Sequence, residues 1–465
     1  MSLSTKALGW GDFFAEGRGA RLALICVGVW LNAADSLVTS TIMPTVGRDL
    51  GGYAYFSWAT AAYMVGAILS GATAARLSAQ FGLRRAMVAA GLVTAAGCVV
   101  SAVAPDMIVL VAGRWVQGLG SGWIVGACYA AIGAMFPQRH LARIFAAMTS
   151  VWGVATVLGP LVGGAFAEGG HWRALFWAFA AQCVAFIAAA IWLLPEDAPP
   201  DSHRTPWVQI ALVLAGVALI GAADLTGSVA LASGLCIASV AIFVAAVRIR
   251  GGKGALFPRA AGDPASVIGA AYVSYFALTA AAMCFSVYAP ALLQKLYGLS
   301  PLAAGYAAGL EALGWTVAAL AVAGLDERWH GAIIRLGALC IVGSLAALAF
   351  VMKAGPLSAV LVASTVMGAG FGFSSGFTSR RVIAAAPDEG ERELASAGIN
   401  SVRQVGNAAG ACLAGIVANL LGLSAGVSLA AAQASAVWLF ALSVPVALLG
   451  ALGAWRVAAA TAEAP

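Results

Sequence analysis

Residues 22–42 read LALICVGVWLNAADSLVTSTI. A helix needs about 20 mostly apolar residues to cross a bilayer, and this run is that long. It nevertheless carries an acidic residue, Asp35, well inside it. A charge at mid-membrane costs roughly 2.5–3.5 kcal/mol on insertion scales and is tolerated when it faces a cavity or a partner. Asn32 and Thr39 stand at i−3 and i+4 from Asp35, so all three share one helix face.

Runs of this kind recur along the whole chain. Of its 465 residues, 62% are hydrophobic and only 9% charged, where a soluble domain carries about 25%. Spans are expected at 22–42, 54–75, 85–104, 107–133, 143–167, 174–194, 207–225, 228–247, 265–292, 301–323, 332–352, 356–379, 395–420 and 428–455. The 56 Gly allow close helix packing in lipid, and the 14 Trp suit the membrane interfaces. The expected fold class is therefore all-α and polytopic. No cleavable leader is expected, because Asp12 and Glu16 precede a first segment long enough to span.

With the N-terminus on the cytoplasmic side, nineteen of the 25 Lys and Arg fall in cytoplasmic segments. Arg48, Arg173, Lys295 and Lys353 fall on the other side, and Arg114 and Arg403 lie within spans. That asymmetry is the positive-inside pattern, and dropping one span would scramble it. Dropping 207–247 as a pair would not, so charge alone leaves twelve spans open. The polar segments 195–206 and 248–264 bracket this hairpin. The layout is then a six-helix half (1–194), a central linker with an extra hairpin (195–264) and a second six-helix half (265–465), the repeat logic of many secondary transporters. The net charge of +6 and pI near 9.0 are loop charges, with no basic stripe on a soluble domain for nucleic acid. The eight Cys all fall inside apolar segments and read as small core residues without disulfides.

Four ionisable residues stand out inside spans, and Asp224 near the end of the seventh is a fifth. Asp35 lies thirteen residues into its span and Arg114 seven residues into one running the other way. At about 1.5 Å per residue the two reach similar depth in a core about 30 Å thick. That suits a charge pair or a shared cavity rim; the structural alternative is an ion pair holding two helices together. Glu311 lies ten residues into the span opened by Ser300-Pro301, a cap-and-proline start, and so near the bilayer centre. No basic residue is near it in sequence. A carboxyl buried without a partner holds a proton more readily, as proton coupling requires; otherwise it bonds another helix. Asn400, Arg403, Gln404 and Asn407 form one polar stripe at i, i+3, i+4 and i+7, which either lines a substrate path or joins helices. Ala155, Gly159 and Gly163 form a small-residue row beside Pro160. Gly368, Gly370 and Gly372 are too closely spaced for one face. With Phe371, Phe373 and Phe377 they read as a flexible, aromatic-walled segment or as ordinary packing.

These residues resemble the major facilitator superfamily, specifically its fourteen-helix drug:proton antiporter branch, over nearly the whole chain. Asp35, nine residues before Pro44 in Asp-Ser-Leu-Val-Thr-Ser-Thr-Ile-Met-Pro, is similar to the branch's first-helix motif, whose Asp is a usual proton or cation site. Arg114-Trp-Val-Gln117-Gly118-Leu-Gly120 resembles the intramembrane Arg motif associated with proton transfer. Gly159-Pro160-Leu-Val-Gly163-Gly164 resembles the antiporter motif, linked to helix bending and export direction, and His171-Trp172-Arg173 also resembles the branch. Leu77-Ser-Ala79-Gln80-Phe-Gly82-Leu-Arg84-Arg85 stands where the cytoplasmic gating motif belongs. There the family's Asp is replaced by Ala79 and its following Arg by Gln80. The charge latch of the outward-open state is therefore in question, while Gly82 and the basic pair remain. Glu311 stands where the branch often has an apolar residue or Pro, so its role rests on membrane physics alone.

The resemblance implies the major facilitator fold, two six-helix bundles plus a two-helix insertion, in the cell (inner) membrane with both termini cytoplasmic. The expected activity is proton-coupled export of small amphipathic compounds by alternating access. Asp35, Glu311 and Arg114 are the proton-coupling residues. Asn32, Asp35, Gln117, Glu311, Asn400, Arg403, Gln404 and Asn407 are the substrate contacts. Gly82, Arg84, Arg85, Gly159, Pro160, Gly163 and Gly164 are the gating residues. The partners are substrate, protons and the bilayer, with a monomer as the working unit and no cofactor or metal. Export of a metabolite, siderophore or lipid, and proton-coupled import, are the alternatives. A membrane-embedded enzyme is disfavoured: His140, His171, His203 and His330 all fall in expected loops without metal spacing, and no phosphate-binding loop is present.

Overall fold

The computed structural model describes residues 18–136, 141–195, 207–226, 228–249, 257–423 and 427–460. Lys6, Arg139, His140, the segment 196–206 with His203 and Arg204, Arg250 and Lys253 lie outside the described residues, as do the side chains of Arg76, Ala79 and Arg143.

Among the described residues, fourteen α-helices follow in order. The first six are α1 (Arg18–Leu50), α2 (Trp58–Phe81), α3 (Leu83–Ala102), α4 (Met107–Met135), α5 (Leu141–Glu168) and α6 (Trp172–Leu193). A hairpin of α7 (Trp207–Asp224) and α8 (Val229–Arg248) comes next. The last six are α9 (Val267–Tyr297), α10 (Pro301–Val322), α11 (Glu327–Ala354), α12 (Leu357–Ala384), α13 (Glu389–Leu420) and α14 (Leu429–Ala459). Each sits on one expected span. Twelve are long and apolar enough to cross a membrane by themselves, the short α7 and α8 included. The other two are α2, rich in Gly, Ala, Ser and Thr, and α13, which carries the polar stripe of Asn400 to Asn407.

The helix starts are local chemistry. Asp106, Ser228, Ser266, Ser300, Asp388 and Ser428 each accept a hydrogen bond from the backbone N–H three residues on, which satisfies a donor the helix leaves free. The Ser300 cap and Pro301 start expected for α10 are both present. Gly298 at φ 64° closes α9 and Gly82 at φ 83° joins α2 to α3. Side chains rarely adopt that left-handed backbone, and glycine does so freely.

The two sets of six pack alike. In the first, α1 packs on α5 and α6, α2 on α4, and α3 on α4 and α6. In the second, α9 packs on α13 and α14, α10 on α12, and α11 on α12 and α14. The first helices of the two sets even carry corresponding features: Pro44 and Pro290 interrupt the far ends of α1 and α9. The seams between the two bundles repeat the same exchange, with α5 on α10 and α2 on α13. The α7–α8 hairpin pairs with itself, and α7 also packs on α13 and α2. It therefore joins the structure at one of the two seams.

Glycine sets how closely these helices approach. Gly164 of α5 has no room for a Cβ, which would lie 2.5 Å from Leu302 Cα on α10. Gly305 of α10 is packed on Thr41 of α1 and Pro160 of α5. The triplet on α12 resolves the spacing question: Gly368 and Gly372 press on the backbone of Glu311 and Trp315 in α10, whereas Gly370 presses on Gly337 in α11. Three glycines two apart serve two close helix contacts on different faces. The segment is packed, which favours the ordinary-packing reading over the flexible one.

Candidate functional site

Asp35 and Arg114 meet. Arg114 Nη1 donates to Asp35 Oδ1 at 2.8 Å and to Oδ2 at 2.7 Å, and the two side chains are 6% and 2% exposed. Arg114 Nε donates to the Ala59 carbonyl at 3.2 Å, and the guanidinium lies over the Tyr63 ring, 4.4 Å from its centroid. Thr39, one turn on from Asp35, is turned to the same carboxyl. Arg114 is thus held from α1, α2 and α4 at once. Pairing two charges out of water is close to neutral in net stability, but removing either partner costs about 3–5 kcal/mol.

Gln117 completes the cradle. Its Oε1 accepts from Arg114 Nη1 at 3.2 Å and from Ser101 Oγ at 3.1 Å, and its Nε2 donates to Cys98 Sγ at 3.1 Å. It is buried and spent on the N-terminal bundle, so it positions Arg114. Asn32 Nδ2 donates to Tyr63 Oη at 3.0 Å and Ser121 Oγ at 2.9 Å, and Tyr63 Oη donates to Ser121 Oγ at 2.7 Å. The register depends on glycine here as well: a Cβ on Gly118 would lie 1.9 Å from the Tyr63 carbonyl oxygen, and one on Gly97 would lie 2.4 Å from the Gln117 nitrogen. Tyr63, Ser101 and Ser121 went unread in the sequence and Cys98 was read only as a core residue, because hydroxyls and thiols occur throughout these helices and only tertiary register selects these.

The second bundle holds a different arrangement. Glu311 Oε2 accepts from Ser286 Oγ of α9 at 3.3 Å. Arg403 of α13 lies over Trp315 of α10, 4.9 Å from the ring centroid, and Trp315 stacks on Phe371 at 5.2 Å. Glu311 and Trp315 are one turn apart on α10. Farther along the α13 stripe, Asn407 Nδ2 donates to Gln404 Oε1 at 3.4 Å, while Asn400 is exposed. The stripe is therefore divided: Arg403 is turned to α10, the two amides bond each other, and Asn400 stands apart from both.

The gating candidates fall in two places. Gly159, Pro160, Gly163 and Gly164 line the meeting of α5 with α1 and α10: a Cβ on Gly159 would lie 2.8 Å from Leu37, and one on Gly163 would lie 3.1 Å from Thr41. Gly82 turns the chain between α2 and α3, and Arg84 and Arg85 line a shallow surface groove with Val88, Leu92 and Ile191. Gln80 is exposed. Trp172 and Arg173 close the other end of the first bundle. Trp172 Nε1 donates to Asp49 Oδ2 at 2.7 Å, and Arg173 stacks on Trp172 and donates to the Ala104 carbonyl at 3.0 Å.

Asp224 is more engaged than its place at the end of a short span suggested. It accepts from Ser57 Oγ at 2.6 Å and from Asn419 Nδ2 at 2.9 Å, and Asn419 also donates to the Ala54 carbonyl at 2.9 Å. A Cβ on Gly415 of α13 would lie 2.4 Å from the Asp224 carboxyl, so the carboxyl rests on bare helix backbone. Ser57 and Ala54 precede α2 and Asn419 belongs to α13. The hairpin carboxylate therefore ties the two bundles together across one seam, and Phe56 stacks on Tyr288 of α9 beside it at 5.4 Å.

Residues 25–411 match the family model described as the Major Facilitator Superfamily. The chain is 30% identical over 431 residues to a protein of Mycobacterium tuberculosis (strain H37Rv) named "Probable multidrug-efflux transporter", covering 88% of this chain and 89% of that one. Among solved structures, a D-xylose–proton symporter aligns with a TM-score of 0.67 at 16% identity over 94% of this chain and 97% of its own. A POT peptide transporter aligns at 0.68 and 16% identity over 93% of each chain. These last two likenesses speak to the fold.

Proposed function

The chain belongs to the major facilitator superfamily, and from that premise we propose that it exports small amphipathic compounds in exchange for protons, by alternating access in the cell membrane with both termini cytoplasmic. The observation that carries this reading is the buried Asp35–Arg114 contact at 2.7 Å. A proton arriving on Asp35 removes the charge that Arg114 is paired with. Arg114 then keeps the Ala59 carbonyl, the Gln117 oxygen and the Tyr63 face, so it has somewhere to rest while α1 and α4 repack. Proton loading is thereby converted into a change in how two helices hold each other, the kind of two-state element a transport cycle needs.

Glu311 supplies a second proton site in the other bundle, held by a single hydroxyl. Substrate and proton compete there, and the bundles rock about the site along the α5–α10 and α2–α13 seams. Export is supported by the similarity to a protein named as a multidrug-efflux transporter and by the glycine–proline packing of α5. Transport is favoured over membrane-embedded catalysis by the family match.

Inverted vesicles carrying the protein provide the test. With an acidic interior they are expected to accumulate an amphiphile such as ethidium, and collapse of the proton gradient is expected to release it. Accumulation indifferent to the gradient would remove proton coupling, and accumulation only in right-side-out vesicles would make the chain an importer.

A further inference from the structure

Charges at membrane depth need compensation. Arg114 has Asp35. Glu311 can take a proton and become neutral, but a guanidinium does not give its proton up. Arg403 therefore needs an anion, and among the described residues no carboxylate pairs with it. It is held instead on the face of Trp315, a contact worth about 0.5–2 kcal/mol that leaves the in-plane N–H donors free. Trp315 is fixed in turn by Phe371 and by the glycine contact of its backbone with α12. Tyr275 lies within electrostatic reach of the guanidinium, but its hydroxyl is committed to the Ser375 carbonyl at 2.7 Å. Tyr129, 52% exposed on α4 of the opposite bundle, lies within the same reach, so Arg403 faces the space between the bundles. Glu311 stands one turn from Trp315, about 6 Å along α10.

We propose that Arg403 and Glu311 form a two-charge subsite for zwitterionic aromatic amphiphiles, Arg403 taking a carboxylate or sulfonate and Glu311 a protonated amine, with the flat ring spanning the distance between them. This rests on the export reading above and gives it a substrate class. It also explains how exchange is enforced. An anion alone beside Glu311 would favour the proton staying there, which opposes exchange. An ammonium on Glu311 displaces the proton, so each bound zwitterion expels one. The remaining charges of the site, Asp35 and Arg114, already compensate each other and ask nothing of the cargo.

Three probes on one ring test this in proteoliposomes of the full chain: 6-(aminomethyl)-2-naphthoic acid, its methyl ester and 2-naphthoic acid. The zwitterion is expected to be transported at least about tenfold better than either single-charge probe, a difference of about 1.4 kcal/mol. Arg403→Gln is expected to bring the zwitterion down to the level of the ester. Glu311→Gln is expected to bring it down to the acid and to remove the share of proton release that Glu311 supplies. Arg403→Lys keeps the charge and is expected to retain part of the preference, which separates charge recognition from loss of fold. A wild type that moves the ester or ethidium as well as the zwitterion overturns the subsite and leaves export standing. Equal loss of all three probes in both variants also overturns it. Failure to move any of these compounds against a proton gradient overturns both readings.

Discussion

One nitrogen of Arg114, Nη1, is shared among both carboxyl oxygens of Asp35, at 2.8 and 2.7 Å, and the amide oxygen of Gln117, at 3.2 Å. The two charges come from helices that pack directly on each other, α1 and α4. Their contact is a joint in the first bundle, and in the proposed cycle it is also where the proton is taken up.

Loss of either partner is therefore unequal. Asp35→Asn keeps an oxygen that Nη1 can reach and leaves Arg114 its other acceptors, so this variant is expected to fold with a lowered Tm and to lose proton-coupled export. Arg114→Gln leaves a carboxyl that can take up a proton, so its cost is expected to stay within the roughly 3–5 kcal/mol typical of a broken buried pair. The double variant should recover part of that loss. Thermal unfolding of the four proteins checks this as a double-mutant cycle, and additive losses would contradict the coupling.

At the seam, Asp224→Ala removes the acceptor of two hydrogen bonds that join the bundles, each worth about 1 kcal/mol. Opening of that seam is expected to become at least about tenfold more frequent, since 1.4 kcal/mol corresponds to tenfold. A cysteine at Ala54 should react correspondingly faster with a membrane-impermeant maleimide. An unchanged rate would mean that the hairpin rides on the seam without holding it.

Glycines that look alike in sequence are expected to behave oppositely. At Gly368 a Cβ would lie 1.7 Å from the Glu311 carbonyl oxygen, whereas at Gly376, on the same helix, nothing lies within 4 Å. Gly368→Ala must push α10 from α12 and is expected to lower Tm and yield, overpacking costing about 1–3 kcal/mol. Gly376→Ala is expected to be neutral or to raise Tm, given a helix-propensity gain of about 1 kcal/mol. Equal Tm values would deny the close contact.

The same approach argument applies at the second seam. Gly164→Ala puts a methyl against Leu302 Cα, 2.5 Å away, which the backbone of α10 cannot evade. The packed α5–α10 seam is expected to be disfavoured and export to fall at least about tenfold with the protein still folded, a loss equivalent to 1.4 kcal/mol. Counterflow set beside Tm separates the two effects; full transport would free this seam from any part in the cycle.

Much of this was legible from residue spacing. Counting along helices placed Asp35 and Arg114 at one depth, and the Ser300-Pro301 start fixed where Glu311 falls. Gln117 was legible as polar and buried, but its orientation was not. Whether it faces substrate or Arg114 depends on the rotation of α4, and the glycines of α3 and α4 set that rotation. Asp224 was undervalued because its helix is short; its partners Ser57 and Asn419 lie 167 and 195 residues away, beyond any local pattern. Arg403 was visible, but Trp315 was not singled out, and the stacking of the two depends on how α10 and α13 meet. The Gly368–Gly372 spacing left flexible and packed readings open because two contact faces on one helix look like no face at all.

The most direct test of the central claim is proton release on binding. Purified wild type and Asp35→Asn are titrated in weakly buffered detergent with cationic, neutral, anionic and zwitterionic amphiphiles. Wild type is expected to release protons with at least one class, and the variant to bind without releasing its share. Binding with no proton release in wild type would contradict coupled exchange. Equal release from both proteins would remove Asp35 from the mechanism.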